Sequence, residues 1–367
     1  MHATNLQLRD YRNYSSANIA PCEGITVLYG ANAQGKTGIL EAIYLCCTGR
    51  SHRTSRDKEL IRWEQMSACV RLDVMRGDGT HRIDINLSSI ARKGVLINQQ
   101  TTSRTGELMG HANGVLFSPE DLRMVKEGPS ERRRFVDMEL SQIRPSYYYA
   151  LQRYHRALTQ RNAVLRDANH NAQLLGTLDE WDAQLAHCGA EIIRHRRQFV
   201  ERLCRVASDI HSDITGGAER LDVRYACSLA SNADGDALAP DFLRALSTAR
   251  AVDLRRQTTT IGPHRDDIAL RINGADARAY ASQGQQRTCA LSLKLSELSV
   301  MKELTGEWPI LMLDDVMSEL DPNRRRQLFG RLAGIQTLVT CTDPEDLSGA
   351  SVGMMIHIEN GAATHSA

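Results

Sequence analysis

The sequence predicts an α/β fold with a helical arm inserted between its two halves, and three observations support this. Residues 1–130 contain short runs of alternating apolar and polar residues, residues 131–258 carry apolar residues at helical spacing, and residues 259–367 alternate between apolar strands and helices. Strict alternation is typical of half-buried strands, whereas recurrence every third and fourth residue is typical of helices. We therefore expect mixed sheets with helices in the outer segments and a helical arm between them.

The first segment carries the clearest strand signals. LQLRDY and ITVLY are followed by VRLDVM and HRIDINL, which flank a Gly77-Asp78-Gly79 turn, and another short strand is expected from Lys93 to Asn98. Two alternating runs that flank a glycine-containing turn predict a β-hairpin. Residues 1–130 are therefore expected to form the N-terminal half of the main lobe.

The middle segment predicts long helices packed side by side. A seven-residue apolar repeat runs through this stretch, with only His195 and Arg202 at positions where an apolar residue is expected; its members are Leu178, Trp181, Leu185, Cys188, Ile192, Phe199 and Val206. Such a repeat is typical of a short coiled coil. After a Gly216-Gly217 turn, a strand over LDVRYACSL and a helix from Pro240 to Arg256 complete the predicted arm.

The last segment returns to an α/β pattern, with WPILMLDD and QTLVTCTD as its clearest strands. It is expected to supply the C-terminal half of the main lobe, over residues 259–367.

Composition excludes several classes of protein. The chain has 367 residues, a net charge of +1 and nine cysteines, with no CxxC pair. No stretch approaches the roughly 18 consecutive apolar residues of a membrane span, and the N-terminus does not resemble a secretory signal. The odd cysteine count without zinc-type spacing favours reduced thiols and a cytoplasmic location. Because the chain is nearly neutral, any attraction to DNA must come from local arginine clusters.

A phosphate-binding loop follows the strand Ile25–Tyr29. The segment matches GxxxxGK[ST] in full and precedes a predicted helix; it consists of Gly30, Ala31, Asn32, Ala33, Gln34, Gly35, Lys36 and Thr37. In such a loop the backbone N–H groups face phosphate oxygens, Lys36 contacts the β and γ phosphates, and Thr37 offers its hydroxyl to Mg²⁺. A chance match in a glycine-containing turn is the alternative, and the flanking strand and helix argue against it.

Two carboxylates end the apolar strand Ile310–Leu313. Asp314 is expected to hold Mg²⁺, and Asp315 to polarise an attacking water molecule. Aspartate is one methylene shorter than glutamate, which predicts slow hydrolysis or a differently placed water molecule. A solvated Asp-Asp turn is the alternative, but the strand before it is too apolar for an ordinary surface edge.

A second candidate anion site lies in Ser282-Gln283-Gly284-Gln285-Gln286-Arg287. Ser282 and Gln285 fit an S-x-x-Q capping box at the start of a helix, and Gly284 permits close backbone approach. One phosphate loop already satisfies its own nucleotide. This second site is therefore expected to reach the γ-phosphate of a nucleotide bound by another copy of the chain.

The order of these motifs resembles that of ATPases of the ABC class, with SQGQQR as the signature motif and Ser318-Glu319-Leu320-Asp321 as the D-loop. Within that class, five phrases are similar to the RecF family of bacterial DNA replication and repair proteins: LRDYRNY, FSPEDL, RRRFVD, GPHRDD and SQGQQR. The resemblance implies a P-loop ABC-type ATPase head with an inserted short coiled-coil arm, far shorter than the coils of SMC proteins.

The resemblance also implies site residues. Lys36 and Thr37 bind phosphate and Mg²⁺, Asp314 binds the metal, Asp315 serves the water, and Ser282 acts on the γ-phosphate held by the partner. The sequence departs from the ABC pattern in two places. The strand end Thr340-Cys341-Thr342-Asp343 has no histidine where many ABC ATPases place a switch histidine. No clear Q-loop is present, and only Gln99 and Gln100 are candidates for it.

The implied function is ATP-dependent DNA binding in recombinational repair and replication restart. A homodimer that forms on ATP would hold gapped or single-stranded–duplex DNA, and slow, DNA-stimulated hydrolysis would release it. RecR and RecO are the implied partners, with RecA loading as the outcome. The alternative is an ABC-type ATP-driven switch that regulates protein partners without binding DNA.

Weaker signals remain open at this point. His264, Asp266 and Asp267 in GPHRDD match no defensible metal signature and favour a charged turn near the ATP site, where Arg265 is a candidate to touch nucleotide or the dimer partner. Arginine runs are mostly solvated faces, although a dimer could align them against phosphates; they lie at Arg132–Arg134, at Arg194 with Arg196 and Arg197, and at Arg324–Arg326. Arg9, Tyr11 and Arg12 are further candidates to meet nucleotide or DNA.

Overall fold

The computed structural model describes residues 1–167, 172–229, 235–317, 321–347 and 350–365. The chain divides into two compact units: unit 1 comprises residues 1–122 and 291–367, and unit 2 comprises residues 123–290. The three-part division predicted at residues 131 and 258 stays a prediction.

Unit 1 begins with strands, one helix and further strands: β1 (His2–Tyr11), β2 (Tyr14–Ile19), β3 (Ile25–Tyr29), α1 (Lys36–Thr48), β4 (Ser67–Arg76), β5 (Gly79–Ser88), β6 (Gly94–Ile97), β7 (Gln100–Thr101) and β8 (Gly114–Phe117). Unit 2 follows with α2 (Arg123–Lys126), α3 (Pro129–Ile143), α4 (Pro145–Asp167), α5 (Leu178–Thr215), β9 (Leu221–Ala226), α6 (Leu238–Arg256), β10 (Asp267–Ile272), β11 (Ala275–Asp276) and α7 (Ala277–Tyr280). The unit boundary falls inside α8 (Gln283–Thr305), and unit 1 ends with β12 (Ile310–Asp314), α9 (Pro322–Gly330), β13 (Thr337–Cys341), β14 (Val352–Glu359) and β15 (Ala362–His365).

The described strands of unit 1 form two six-stranded sheets. The first is antiparallel, with the order β2-β1-β4-β5-β6-β7, and it includes the hairpin predicted around Gly77–Gly79. The second has the order β15-β14-β3-β13-β12-β8 and is parallel except for β15. Because parallel strands end at the same sheet edge, the carboxyl ends of β3, β12 and β13 meet there.

Helix α1 lies in the core of unit 1 and packs against strands of both sheets. Its side chains Ile39, Leu40 and Ile43 are buried together with Leu72 and Ile85 of the first sheet and with Met312 and Leu338 of the second. Burial on all sides explains why α1 is apolar through most of its length. The helix start that follows the phosphate loop is thereby fixed against the core.

Unit 2 is built around α5, a helix of 38 residues, which corresponds to roughly 57 Å. It packs against α4, α6 and β9, and β9 belongs to the three-stranded sheet β11-β10-β9. The apolar repeat is confirmed as far as Phe199, but beyond it the buried positions shift to Leu203, Ala207 and Ile210. The register changes where the helix meets a sheet: Cys204 Sγ accepts the Val223 N–H of β9 at 3.4 Å.

The predicted α/β architecture with a helical insertion is therefore present. None of the nine cysteines forms a disulfide. Within the described ranges no helix is both long enough and apolar enough to span a bilayer.

Candidate nucleotide-binding site

The phosphate loop joins β3 to α1, and two of its glycines are required by its backbone. Gly30 has φ 148° and Gly35 has φ 116°, both in the region that favours glycine. A Cβ at Gly30 would lie 2.3 Å from the carbonyl oxygen of Ile358, and one at Gly35 would lie 2.6 Å from Asn13 Nδ2. Any larger residue at either position would therefore move the loop.

Two neighbouring turns hold the loop in place. Asn13 Nδ2 donates to the Gln34 carbonyl at 2.8 Å, and the Tyr14 hydroxyl donates to the Gly35 carbonyl at 3.0 Å. The Asn360 N–H donates to Gln34 Oε1 at 2.6 Å. The backbone carbonyl and the side-chain oxygen of Gln34 both accept hydrogen bonds in this anchoring, so the backbone N–H groups around it are pre-organised without help from a ligand.

The start of α1 is suited to an anion. Gly35 provides no side-chain cap, and the first turn contains no acidic residue. The unpaired N–H groups of a helix N-terminus carry partial positive charge and bind phosphate readily. The cradle formed by Gly30 to Thr37 therefore fits the phosphates of a nucleotide.

Lys36 spans the mouth of the loop. Its Nζ donates to the carbonyls of Gly30 at 2.5 Å and Ala31 at 2.9 Å. Partial burial lowers the pKa of the Lys36 ammonium, while the nearby carboxylates of Asp315 and Asp314 oppose this shift. The charge is therefore held close to where phosphate oxygens would lie.

Thr37 and Asp314 form the oxygen-rich side of the site. The Thr37 hydroxyl donates to Asp314 Oδ1 at 2.8 Å, and the Thr340 hydroxyl donates to the same oxygen at 2.9 Å. Burial raises the pKa of Asp314, although these two hydrogen bonds oppose the shift. A hydroxyl beside a carboxylate is a donor set that suits Mg²⁺, which prefers oxygen ligands. The alternative of a solvated turn is wrong for Asp314, because it is buried at the end of an interior strand.

Asp315 differs from Asp314 in its exposure and in its backbone conformation. It is exposed, its φ of 51° turns the chain out of the sheet, and its N–H donates to Thr340 Oγ1 at 2.9 Å. It lines the same cavity as Lys36. The geometry suits a carboxylate that faces a bound nucleotide, and its role towards water stays a prediction.

The cavity over the loop has a volume of about 680 Å³. Its lining includes Asn32, Ala33, Gln34, Gly35, Lys36, Thr37 and Asp315, together with Arg53, Arg62 and Trp63, which the sequence motifs did not indicate. Trp63 is 86% exposed. No local motif marks these three residues, since only the course of the chain after α1 brings them to the loop.

Two candidates near the N-terminus behave differently. Arg12 lines the cavity, but Glu41 holds its guanidinium at 2.6 and 2.7 Å and the Glu59 carbonyl accepts from it at 2.8 Å. Tyr11 is fully buried, so its predicted contact with nucleotide or DNA is wrong. Gln99 and Gln100 lie at the β6–β7 turn and are not among the residues that line the cavity.

The second anion site belongs to unit 2, at the start of α8. The predicted capping box is confirmed in both directions: the Ser282 N–H donates to Gln285 Oε1 at 2.8 Å, and the Gln285 N–H donates to Ser282 Oγ at 3.3 Å. Ser282 and Gly284 are exposed, whereas Gln285 is half-buried. This helix start is therefore open to a ligand that approaches from outside. In the D-loop, Ser318, Glu319 and Leu320 lie outside the described residues.

The GPHRDD segment forms internal contacts in unit 2. Asp266 accepts from the Tyr225 hydroxyl and from the Ser228 N–H, and Asp267 forms a bidentate pair with Arg132 at 2.7 and 2.9 Å. His264 contacts the Tyr154 hydroxyl at 2.6 Å. No metal-type group of three or more His, Cys, Asp and Glu side chains occurs in the described part of the chain.

Two of the arginine runs are also partly internal. Arg196 is buried against Asp137 and donates to the Pro263 carbonyl, and Arg133 donates to the Asp266 carbonyl. The interpretation of these runs as solvated faces is therefore wrong for Arg132 and Arg196. Arg134, Arg194 and Arg326 are exposed.

Comparison with known proteins identifies the family of the chain. The model of the RecF/RecN/SMC N terminal domain matches residues 2–364. The "DNA replication and repair protein RecF" of Clostridium perfringens (strain SM101 / Type A) is 45% identical over 348 residues, or 95% of each chain. The protein of the same name from Acetivibrio thermocellus is 42% identical over 365 residues, which cover 98% of this chain and 99% of that one.

Solved structures give the same result. The recombination mediator protein RecF bound to ATP, in the RecFOR pathway, superposes with a TM-score of 0.93 at 36% identity and covers 100% of this chain and 98% of its own. The Smc head domain of Pyrococcus furiosus has a TM-score of 0.58 at 16% identity, with coverage of 100% and 96%, and this likeness concerns the fold alone. The predicted ATPase-head fold is confirmed, and the chain belongs to the RecF family of DNA replication and repair proteins.

Proposed function

We propose that this chain is an ATP-dependent DNA-binding protein of recombinational repair and replication restart. The observation that carries the proposal is the 2.8 Å contact between Thr37 Oγ1 and Asp314 Oδ1, which joins the phosphate loop to the end of β12. Two residues 277 positions apart in the sequence thereby complete one nucleotide site. Relatives named for DNA replication and repair, and one solved with ATP, support the same reading.

ATP is the proposed nucleotide, supported by the relative solved with ATP. Residues Gly30 to Gly35 would surround its phosphates with backbone N–H groups, and Lys36 would transfer its hydrogen bonds from the Gly30 and Ala31 carbonyls to phosphate oxygens. Thr37 and Asp314 would hold Mg²⁺, which neutralises phosphate charge when bound. A Lys36→Ala variant should lose ATP binding, and retained affinity would contradict the assignment of the loop.

A second copy of the chain completes the site. Ser282 and Gly284 are exposed at the N-terminus of α8, where an anion is favoured, and unit 1 already supplies a full phosphate loop. We assign this helix start to the γ-phosphate bound by the partner. Ser282→Arg should abolish ATP-dependent dimers in sedimentation velocity, and dimers of this variant would contradict a shared site.

Hydrolysis is slow in this scheme. Asp315 lines the cavity with a short side chain in a left-handed turn, and we assign it to orient water. A short carboxylate leaves more distance to bridge than a glutamate would. The chain is accordingly a weak, DNA-stimulated ATPase, with hydrolysis releasing the closed dimer from DNA.

DNA is held by local positive charge. The exposed arginines Arg134, Arg194 and Arg326 are candidates, because a dimer presents each of them twice and the net charge of +1 provides no general attraction. Gapped or single-stranded–duplex DNA is the proposed ligand. RecO and RecR are the proposed protein partners, supported by the solved RecF of the RecFOR pathway, and loading of RecA is the proposed outcome.

The deciding experiment measures fluorescence anisotropy of a labelled gapped duplex with the Asp315→Asn protein at one salt concentration. Tight binding with ATP and weak binding with ADP is expected, and Lys36→Ala should bind weakly in both conditions. Equal binding with the two nucleotides, or no binding, would overturn the DNA proposal. The remaining function would then be an ATP-driven switch for protein partners.

A further inference from the structure

The capping box at the start of α8 is connected to the end of the long helix α5. Gln285 donates from Nε2 to Glu219 Oε1 at 2.9 Å. The other oxygen of Glu219, Oε2, lies 3.1 Å from His211 Nε2 in the last turns of α5. One carboxylate therefore links the helix that forms the arm to the residue that caps the signature helix.

Glu219 is itself held firmly. Its N–H donates to Thr215 Oγ1 at 3.3 Å, after a turn in which Gly216 and Gly217 have φ of 61° and 80°. The next residue is fixed by Asn273: the Arg220 N–H donates to Asn273 Oδ1 at 2.8 Å, and the Asn273 N–H donates to the Arg220 carbonyl at 2.9 Å. The Glu219 side chain is 19% exposed. It is thus a fixed acceptor and not a flexible surface group.

The chemistry of the amide explains why such an acceptor matters. The Oε1 atom of Gln285 accepts a hydrogen bond from the Ser282 N–H, and its Nε2 atom donates one to Glu219. One end of the amide is therefore an acceptor and the other a donor. If the amide turned over, its NH₂ group would face the Ser282 N–H, donor against donor. A carboxylate accepts only, so Glu219 selects the orientation in which the oxygen faces Ser282.

His211 fixes the carboxylate from the other side. The ring is fully buried on α5, and burial lowers the pKa of His211 while Glu219 opposes that shift. A neutral ring with its proton on Nε2 donates to Oε2 and leaves Oε1 for Gln285. Each oxygen of Glu219 therefore has one defined donor.

We propose that Glu219 is a positioning residue for the signature serine. It holds Gln285 in the orientation that fixes the backbone of Ser282, and it connects this serine to α5 through His211. The inference rests on the proposed function, in which Ser282 acts on the γ-phosphate held by a second copy. The consequence is that the end of α5 sets how well two copies close on ATP.

Two conservative variants test this. Glu219→Asp keeps the charge but withdraws the carboxylate by one methylene, so it should no longer reach Gln285. Glu219→Gln keeps the reach and an accepting oxygen, and the ring of His211 can change tautomer to match. In sedimentation velocity with ATP, Glu219→Asp should weaken dimerisation about tenfold, as expected for one lost charge-assisted hydrogen bond, whereas Glu219→Gln keeps the hydrogen bond without its charge and should weaken dimerisation less. The exposed Glu201→Ala on α5 is the control and should have no effect.

Nucleotide affinity separates positioning from folding. ATP binding by the monomer, measured at protein concentrations far below dimerisation, should be the same in wild type and in both Glu219 variants. Combining Glu219→Asp with Gln285→Ala should weaken dimers no more than Gln285→Ala alone, because both act through one contact. Additive losses, or equal dimerisation of Glu219→Asp and wild type, would overturn the inference.

Failure of the proposed function has a different signature. If wild-type protein shows no ATP-dependent dimer at all, the shared site is wrong whatever Glu219 does. If wild type dimerises and the two Glu219 variants behave alike, the shared site stands and the positioning role falls.

Discussion

The phosphate-loop cavity of unit 1 and the polar core of unit 2 use similar residues for opposite purposes. Charged groups such as Lys36 and Asp315 line the cavity, and the side chains of Asn13 and Tyr14 hold the phosphate loop by donating to its backbone carbonyls. In unit 2, Arg161 is fully buried and donates to Asp182 at 2.5 Å and to Asp253 at 2.7 Å. The first arrangement places charge at the wall of a cavity, and the second pairs it inside the protein.

This difference distinguishes charged residues that can bind a ligand from charged residues that stabilise the fold. A buried charge whose partners are all internal is a structural element, because removing one partner leaves an uncompensated charge. A charge at a cavity with few side-chain partners is available for binding.

The largest effect is expected for Arg161→Ala. The variant leaves Asp253 buried without a cation, although Thr260 still donates to it at 2.6 and 3.0 Å. Breaking such a pair should lower the free energy of unfolding by about 3–5 kcal/mol, measured by urea denaturation. The control Arg153→Ala removes an arginine that is 62% exposed, and it should change the same quantity by less than about 0.5 kcal/mol. A loss below about 1 kcal/mol for Arg161→Ala would show that this pair is not structural.

The next effect is a dependence of stability on pH through His264. Burial, with Arg265 and Arg133 nearby, lowers the pKa of His264 to about 4, while the Thr259 carbonyl and Asp266 oppose the shift. The folded protein then binds this proton less readily than the unfolded chain, so stability is complete above about pH 6.5 and is lost as the pH falls towards 4. The full loss is on the order of 3 kcal/mol.

Urea denaturation between pH 7.5 and pH 4.5 checks this against His264→Gln, which keeps a donor and an acceptor. The variant should lose less stability than wild type on acidification. An equal loss of stability in the two proteins would show that His264 does not cause the pH dependence. His195 would then be the candidate, because burial also lowers the pKa of His195 to about 4.

Lys36→Ala should separate binding from stability. ATP affinity should fall at least about 100-fold, or about 2.7 kcal/mol, because the variant removes charge-assisted hydrogen bonds to phosphate. The unfolding temperature should stay within about 2 °C of wild type, since among the described residues the ammonium donates to the carbonyls of Gly30 and Ala31 and to no side chain. Titration calorimetry and thermal unfolding measure the two quantities. Lys58→Ala, at an exposed position, is the control. A large drop in unfolding temperature for Lys36→Ala but not for Lys58→Ala would contradict the claim that Lys36 serves binding and not stability.

The sequence predicted the parts of this molecule whose constraints are local. The phosphate loop needs glycine at Gly30 and Gly35 between one strand and one helix, and the capping box joins residues three positions apart. Asp314 was identifiable because a wholly apolar strand precedes it. The structure places each of these elements where the sequence predicted it.

Other parts depend on distant partners that no window of sequence contains. Arg132 is paired with Asp267, 135 positions away, so a run of arginines that suggested a solvated face is partly internal. The apolar repeat of α5 changes register after Phe199, because there the helix packs against β9 and no longer against another helix. The repeat itself does not indicate which element packs against the helix. Trp63 joins the cavity only through the course of the chain after α1.

The smallest effect is expected at Trp63. The side chain is 86% exposed and lines the cavity above the phosphate loop, so it offers an aromatic face to the base of a bound nucleotide. Base–aromatic stacking contributes about 1–3 kcal/mol, which predicts a loss of ATP affinity of about tenfold in Trp63→Ala and a smaller loss in Trp63→Phe. Ile90→Ala is the matched control, because Ile90 is 85% exposed but is not among the lining residues.

Intrinsic fluorescence gives an independent measurement, since the chain has three tryptophans. ATP should quench the emission of wild-type protein, and the quench should disappear in Trp63→Phe, which keeps Trp181 and Trp308. If Trp63→Ala binds ATP as tightly as wild type and the quench survives in Trp63→Phe, an exposed aromatic at the cavity is not evidence of a base contact. The contrast between charges that line a cavity and charges that are paired inside the protein would then describe the phosphate-binding part of this site. It would not describe the part of the cavity that Trp63 lines.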